Sequence, residues 1–329
     1  MWQIMSMNLT LAICMYNAER YIEETLQSVM DQTKQDFHLL IVDDCSNDDS
    51  VKKVEAFFTA HPRQYELVRL EENKGICHAR HFAERQATTK YMMFLDADDV
   101  LLPKAIEKMY DKITSDNDLM AVGCYLDYID EKGKKIGGGL YLGDTEKETF
   151  YKRAEAGKLI FMQPTAIYDR ELALGVGGYD DKNAIVDDSR IRWQDYCEDL
   201  DLWTRMSDLY HERKAIIVLP EVLCHYRKLT SGMSANSYRM SLRMRYVKNN
   251  VRRRRRGESN MTFEEYYRSL SANDLASVKR DGEAADALRN GVFCLRKWNI
   301  IKGIGLICHS ITLRPGYIFE KIKYNLLRK

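Results

Sequence analysis

The run Phe94-Leu-Asp-Ala-Asp-Asp99 sets two carboxylates two residues apart, directly after an apolar stretch. Carboxylates so spaced at a strand end can meet one hard divalent cation. Mg²⁺ or Mn²⁺ favours such oxygen ligands and often takes phosphates as the others. A cation held there would neutralise charge developing on a diphosphate leaving group. A second acidic pair, Glu198-Asp199, precedes Leu200 and Trp203, which share one face of a predicted helix. Carboxylates in a first helical turn complement the helix dipole. One of them is also well placed to be the general base for a hydroxyl.

These residues need a frame, and the first half of the chain supplies one. Short β-branched runs alternate with amphipathic runs. Strands are predicted at Leu9–Met15, Phe37–Val42, Tyr65–Leu70 and Tyr91–Leu95. Helices are predicted at Ala18–Met30, Ser50–Phe58, Gly75–Gln86 and Pro103–Lys112. That alternation implies parallel βαβ units, and fully apolar strands such as Leu39–Val42 fit a sheet covered on both faces. In open parallel sheets ligands bind beyond the carboxyl ends of the strands. Four polar clusters fall there: Tyr16-Asn17, Asp43-Asp44-Cys45-Ser46, Asn73-Lys74-Gly75 and Asp96–Asp99. Any one of them is explained by a turn or a helix cap; four in succession point to a ligand.

After residue 117 the pattern changes. Leu119–Tyr128 reads as a buried strand, Gly133–Leu142 as a hairpin or loop, and Gln194–Tyr210 as one helix. Ala215–Val218 and Val222–Tyr226 read as two closing strands. Gln163-Pro-Thr165 adds further polar groups, and the double glycine of Val176-Gly-Gly-Tyr-Asp180 requires a tight turn or a close backbone approach. Arg227 can hold a phosphate or an internal carboxylate. From Ser237 the chain is basic and helical, so we expect a domain over 1–236 and a basic helical region over 237–329.

The 329 residues are 45% hydrophobic and 30% charged, with a net charge of +1. That is a globular profile with no overall attraction to nucleic acid. The eight cysteines form no C-x-x-C pair and suit reduced thiols. Met1–Asn8 has no basic start of the signal-peptide kind, and no run approaches the ~20 apolar residues of a spanning helix. We expect a cytoplasmic protein, soluble or peripheral on the inner face of a membrane. Arg239, Arg243, Arg245 and the tract Arg252–Arg256 form either a solvated face or an attraction to anionic lipid. Ile300–Leu313 either docks on the main domain or lies in a membrane interface, flanked by Lys321, Lys323, Arg328 and Lys329.

In this order the segments resemble the family-two inverting nucleotide-sugar glycosyltransferases of the GT-A fold. The pattern Y-N-x-E is matched by Tyr16–Glu19, Q-T by Gln32-Thr33, and V-D-D-x-S-x-D by Val42–Asp48. N-x-G-x-x-x-A-R is matched by Asn73–Arg80, F-L-D-A-D-D by 94–99, V-G-G-Y-D by Val176–Asp180, and E-D-x-x-L-x-x-R by Glu198–Arg205 with Leu202 one place off. The resemblance covers roughly residues 9–235. It implies a Rossmann-like α/β fold, a mostly parallel sheet flanked by helices, with a helical C-terminal extension. It further implies that Tyr16, Glu19 and Asp44 line a nucleobase pocket with Asp43 close by, and that Lys74 and Arg80 help hold the nucleotide. Asp96 and Asp98 would address the ribose and the metal-bound diphosphate, with Asp98 the metal ligand and Asp99 in support. Asp199 would be the catalytic base, with Glu198 beside it on the acceptor side. The donor would be a nucleotide-sugar, most often a UDP-sugar, used with Mn²⁺ or Mg²⁺. The acceptor would be a glycan or a lipid-linked molecule of surface polysaccharide synthesis. Departures are Cys14 for a proline, His81 for an asparagine, and Leu229 and Gly232 in a late loop through Ser234 that closes over the diphosphate in the family.

Two other readings stay open. Phe94–Val100 fits the D-x-D-x-[TV] signature of haloacid-dehalogenase-like phosphatases, with Asp96 as nucleophile and Asp98 as acid. That motif usually follows the first strand of its core, whereas three βα units precede it here. The altered late loop also leaves room for a non-catalytic sugar-nucleotide-binding module.

Overall fold

The computed structural model describes residues 8–182, 191–229, 236–296 and 298–317. The chain divides into two compact units, one of residues 1–183 with 198–229, the other of 184–197 with 230–329.

The first unit opens with β1 (Leu9–Met15), α1 (Ile22–Met30), β2 (His38–Asp43), α2 (Ser50–Ala60), β3 (Glu66–Arg69), α3 (Ile76–Gln86) and β4 (Tyr91–Asp96). It continues with β5 (Val100–Leu101), α4 (Ala105–Thr114), β6 (Leu119–Ile129), β7 (Lys135–Leu140), α5 (Lys147–Glu155), β8 (Ile167–Asp169) and α6 (Arg170–Gly175). It closes with α7 (Glu198–Met206) and β9 (Ala215–Arg227). The strands form one sheet in the order β3-β2-β1-β4-β8-β6-β9-β5, with β7 paired to β6. β3, β2, β1 and β4 are parallel. β8 runs antiparallel to both β4 and β6, and β6 and β9 are parallel.

The first four strands are the parallel, helix-covered α/β sheet that the alternation implies, and the antiparallel pairings of β5, β7 and β8 make the whole sheet mixed. All seven residues of β1 are buried, because helices cover both faces of the sheet at its centre. Strand order reverses between β1 and β4, so the crevice of the fold lies at their carboxyl ends. Tyr16-Asn17 and Asp96–Asp99 stand at those two ends.

Of the two forms open to the glycine-rich segment it takes the hairpin, with β7 paired antiparallel to β6. Two expectations change. The two closing strands are one, β9, running through Pro220, with register shifts opposite Cys124 and Tyr125 that absorb the residue unable to donate. The expected helix over Gln194–Tyr210 is α7 alone, between short 3₁₀ segments at Trp193–Asp195 and Ser207–Glu212. Cys197, at φ 60°, breaks any helix before Glu198. β5 and β8 were not foreseen, being too short at two and three residues to show a period.

The second unit holds α8 (Ser237–Arg255), α9 (Phe263–Ser269), α10 (Ala272–Arg296) and α11 (Ile300–Leu313). Asn236 caps α8 by accepting from Arg239 N, and Thr262 and Glu265 form a reciprocal capping box on α9. Buried Trp193 packs against Phe263 at 5.1 Å between ring centroids. α10 and α11 lie close because two glycines face each other. A Cβ on Gly303 would stand 3.0 Å from the Gly291 carbonyl.

Candidate active site

The Asp96–Asp99 turn is held from three sides. Asp99 N donates to Asp96 O at 3.1 Å, closing the turn at the end of β4. From α1, Thr25 Oγ1 donates to Ala97 O (3.1 Å) and Asp99 O (2.8 Å). From β9, Arg227 Nε donates to Asp98 O (2.8 Å), and its backbone N–H donates to the Asp99 carboxylate (2.8 Å). Arg227 is buried, and its guanidinium also reaches Asp130 O at 3.0 Å and the Glu24 carboxylate at 2.6 Å. Of the two roles open to Arg227, the internal one is observed. Its contacts fix the acidic turn.

The carboxylates of this turn are short of positive charge. Burial, then the neighbouring Asp96, pushes the Asp98 carboxyl up to about 7. Asp99, fully buried, is raised by burial, then by Asp98 and Asp96. No ion pair to the Asp98 side chain is found among the described residues.

Asp96 has a partner. Arg80 of α3, only 3% exposed, donates through Nη2 to Asp96 Oδ1 at 2.6 Å and through Nη1 to Glu198 Oε1 at 2.5 Å. One buried guanidinium thereby joins the end of β4 to the first turn of α7. Beside it, burial raises the Asp199 carboxyl, with Arg80 and the Leu200 N–H opposing and Asp96 adding to the rise. The Arg80 guanidinium is held even more firmly charged than usual: burial opposes this, but Asp96 and Glu198 outweigh it.

The start of α7 is anchored at its far end. Arg205 donates to Val176 O and Gly178 O, both at 2.7 Å, and pairs with Asp201 at 2.9 Å. Gly177 and Gly178 turn with φ 103° and 64°, and a Cβ on Gly178 would collide with the Glu84 carboxylate. The double glycine thus serves both a tight turn and a close approach, as its sequence suggests. Glu84, buried, accepts from Tyr179 N (2.9 Å) and Tyr168 OH (3.0 Å). Burial raises its carboxyl.

The first three strand ends are stitched to one another. Asp44 accepts from Lys74 N (2.9 Å) and Gly75 N (2.8 Å). Ser46 Oγ accepts from Asn17 N at 2.9 Å, and Asn17 Oδ1 accepts from Asn47 N at 3.0 Å. Asn17 and Cys45 hold φ of 50° and 62°, which residues other than glycine adopt at a cost, and such positions cluster at functional sites. Asp43, fully buried, accepts from Ser46 N and lies 3.5 Å from Arg69 Nε. Glu19 accepts from Asp49 N at 3.0 Å, while Tyr16 is half exposed. Lys74 Nζ pairs with Glu72 at 3.0 Å.

The structure therefore brings Arg80, Asp96, Asp98, Asp99, Glu198 and Asp199 into one electrostatic cluster. Asp44 adjoins it, since Arg80, Asp96 and Asp44 all act on the Cys14 thiol at the end of β1, which burial pushes up to about 12. Asp43, Asp44 and Glu19 are already engaged in holding the loops, and Lys74 is paired at the surface. Sequence reasoning missed Glu24, Thr25 and Glu84. For Thr25 and Glu84 the signal was a polar residue on a helical face that otherwise reads as buried, whereas Glu24 lies on an exposed face and gives none. Gln163 donates to Cys124 O at 2.5 Å, a structural bond. Of the late loop, Ser231–Ser234 lies outside the described residues, as do Lys321, Lys323, Arg328 and Lys329.

A divalent cation fits this cluster through Asp98, with Asp96 close by. The Asp98 carboxylate gains from any added positive charge. Among the described residues no three or more His, Cys, Asp and Glu side chains group closely enough to hold a metal by themselves. The remaining ligands would then be phosphate oxygens and water, the usual surroundings of Mg²⁺ at an acidic strand end.

Residues 10–177, half of the chain, match the model of the family described as Glycosyl transferase family 2. The teichoic acid poly(glycerol phosphate) polymerase of Staphylococcus epidermidis is 40% identical over 113 residues, 34% of this chain and 16% of that protein. An uncharacterized glycosyltransferase of Haemophilus influenzae is 26% identical over 216 residues, 65% of this chain and 64% of that protein. The chain spans less than two thirds of the length of these curated relatives. Among solved structures, S. aureus TarS 1–349 in complex with UDP-GlcNAc is similar with TM-score 0.55 at 18% identity, over 95% of this chain and 92% of that one. The mannosyltransferase PcManGT from Pyrobaculum calidifontis, in complex with GDP-Man and Mn²⁺, has TM-score 0.54 at 19% identity, over 95% and 88%. At that identity the structural likeness speaks for the fold. The family match decides membership: the chain belongs to glycosyl transferase family 2.

Proposed function

We propose, with family membership as the premise, that the chain is an inverting enzyme that moves a sugar from a nucleotide-sugar, a UDP-sugar in the first instance, to a hydroxyl. The acceptor is a glycan or lipid-linked glycan of surface polysaccharide synthesis, met on the cytoplasmic side of a membrane. The observation that carries this reading is Arg80, which ties Asp96 at the donor end of the sheet to Glu198, next to Asp199. Donor-side and acceptor-side carboxylates thereby share one rigid support.

In this reading the nucleotide enters at the switch point between β1 and β4. Tyr16 and Asp44 lie toward the base, and Asp96 toward the ribose. A divalent cation on Asp98, when bound, offsets the charge that grows on the leaving diphosphate. Arg227 and Thr25 keep the acidic turn from relaxing away from that charge. Asp199 removes the proton from the acceptor hydroxyl. Its raised pKa makes it a stronger base than an ordinary surface carboxylate, closer to the range that suits general-base work. The oxygen attacks the anomeric carbon from the face opposite the departing nucleotide, so configuration inverts. Arg80 opposes the rise that burial imposes on Asp199.

The names of relatives support the polysaccharide setting: one acts in teichoic acid synthesis, another is a putative teichuronic acid glycosyltransferase of Bacillus subtilis. Two structural neighbours are in complex with nucleotide-sugars, one of them with Mn²⁺ as well. The test is a panel of sugar nucleotides offered to the purified chain with and without Mn²⁺, read as heat of binding and release of nucleoside diphosphate. Cation-dependent binding and slow release from one donor class support the reading. Indifference to every sugar nucleotide, or a phosphoenzyme trapped on Asp96, sinks it.

A further inference from the structure

α11 carries two apolar faces, and α10 covers only one of them. Gly303 and Ser310 are buried on the covered face, where Ser310 Oγ donates to Ala284 O at 2.7 Å. Ile300, Ile301, Ile304, Cys308 and Ile311 are exposed. At about 100° per residue these five fall within one stripe roughly 100° wide. The stripe begins at the turn between α10 and α11, where Trp298 is 87% and Ile301 89% exposed. Val292 and Leu295 of α10 extend the exposed apolar surface, and Leu295 lies against Gly303 at the tip. Scattered exposed apolar residues are ordinary, but a continuous patch around an exposed tryptophan marks a contact surface.

Charge identifies the partner. Residues 230–329 hold 21 Lys and Arg against 8 Asp and Glu, a net +13 in a chain whose total is +1. Arg252, Arg256, Lys279, Arg280 and Lys302 are exposed. α11, at fourteen residues, is about 21 Å long, short of the roughly 30 Å of a hydrocarbon core. Among the described residues no helix is long and apolar enough to cross a membrane. A short helix with one free apolar stripe, a tryptophan at its start and an exposed lysine, Lys302, in its first turn has the make-up of an interfacial helix.

We propose that the α10–α11 turn seats Trp298, Ile300 and Ile301 in the headgroup–acyl boundary of an anionic lipid membrane, with Lys302 beside the headgroups and the net positive charge of residues 230–329 favouring an anionic surface. This goes beyond the donor chemistry and does not rest on it, since none of these residues belongs to the acidic cluster.

The test is co-sedimentation of the full chain with vesicles of phosphatidylglycerol and phosphatidylcholine, against pure phosphatidylcholine. Binding should favour the anionic vesicles and weaken with added salt. The double variant Trp298→Ser, Ile301→Ser should bind about tenfold more weakly or worse, with an unchanged melting temperature because both side chains are exposed. Fluorescence should shift to the blue on binding and be quenched by brominated acyl chains. Read in a Trp2→Phe background, Trp298→Phe should bind but lose that signal, since the remaining Trp193 and Trp203 are buried. Equal sedimentation of the double variant and the parent chain would overturn the proposal. So would equal binding to both vesicle types, or an assembly in lipid-free buffer that the double variant dissolves, which would assign the patch to a second copy.

Discussion

Arg80→Met keeps much of the side chain's apolar volume and deletes its charge. Two carboxylates then lose a cation that stands 2.6 Å from Asp96 and 2.5 Å from Glu198. Removing one member of a buried ion pair costs about 3–5 kcal/mol, mostly because the survivors stay desolvated. The Asp96 side chain is 29% exposed and that of Glu198 11%, so water takes up part of the loss. We expect the lower end, about 3 kcal/mol, which lowers the melting midpoint by roughly 6–12 °C. The pH dependence follows by sign. The Arg80 guanidinium, raised above its ordinary value in the fold, is charged at every working pH, so its contribution is always present. Without it, Asp199, which burial raises and Arg80 opposes, is raised further; folding then favours its protonated form, and that stability is lost as pH rises. The deficit against the parent chain should therefore be largest near neutrality and shrink as pH falls toward about 4. Melts of both proteins across that window check it. Arg80→Lys should fall between them, since an ammonium cannot fork to both partners. A deficit under about 1 kcal/mol at neutral pH, the value of an exposed pair, would refute the bridge. So would a deficit that does not change with pH.

Other outcomes follow from the same geometry. The Asp98 carboxyl, held at about 7, favours its protonated form in the fold. Stability from this group is full below its unfolded value of about 3.9 and is lost as pH rises toward about 7. Melting of the cation-free chain should fall across that window, Asp98→Asn should flatten the fall, and Mn²⁺ should raise the midpoint only at the upper end. Gly178→Ala, at φ 64° and against Glu84, should cost on the order of 2–3 kcal/mol in denaturant titration. Arg227→Met strips donors from Asp98 O, Asp130 O and Glu24, and should cost about 3 kcal/mol and weaken cation-dependent donor binding.

The parallel half of the sheet was legible because each strand is a run of apolar residues bounded by polar turns, and β1 is predicted to the residue at Leu9–Met15. The acidic turn and the Glu198-Asp199 pair were legible because their residue types suit strand ends and helix starts. What positions them was not. The resemblance assigns Arg80 to the nucleotide, and only the fold shows it sealed between β4 and α7, donating to Asp96 and Glu198. Arg227 left two roles open because its partners, Glu24 and Asp130, are distant in sequence. The break before Glu198 lies in the left-handed backbone of Cys197, which no residue type announces. β9 was read as two strands because Pro220 interrupts a pattern that the bulged register then restores.

The central claim is that Asp199 is the base of a transfer whose donor site is built separately around Asp98. Asp199→Asn tests it with two readings on one protein: donor affinity in Mn²⁺ by calorimetry, and sugar transfer by product formation. Donor affinity should stay within a few-fold of the parent chain, and transfer should fall by roughly 10²–10⁴, the share of a general base. Transfer within about tenfold of the parent chain, with the donor still bound, would contradict it.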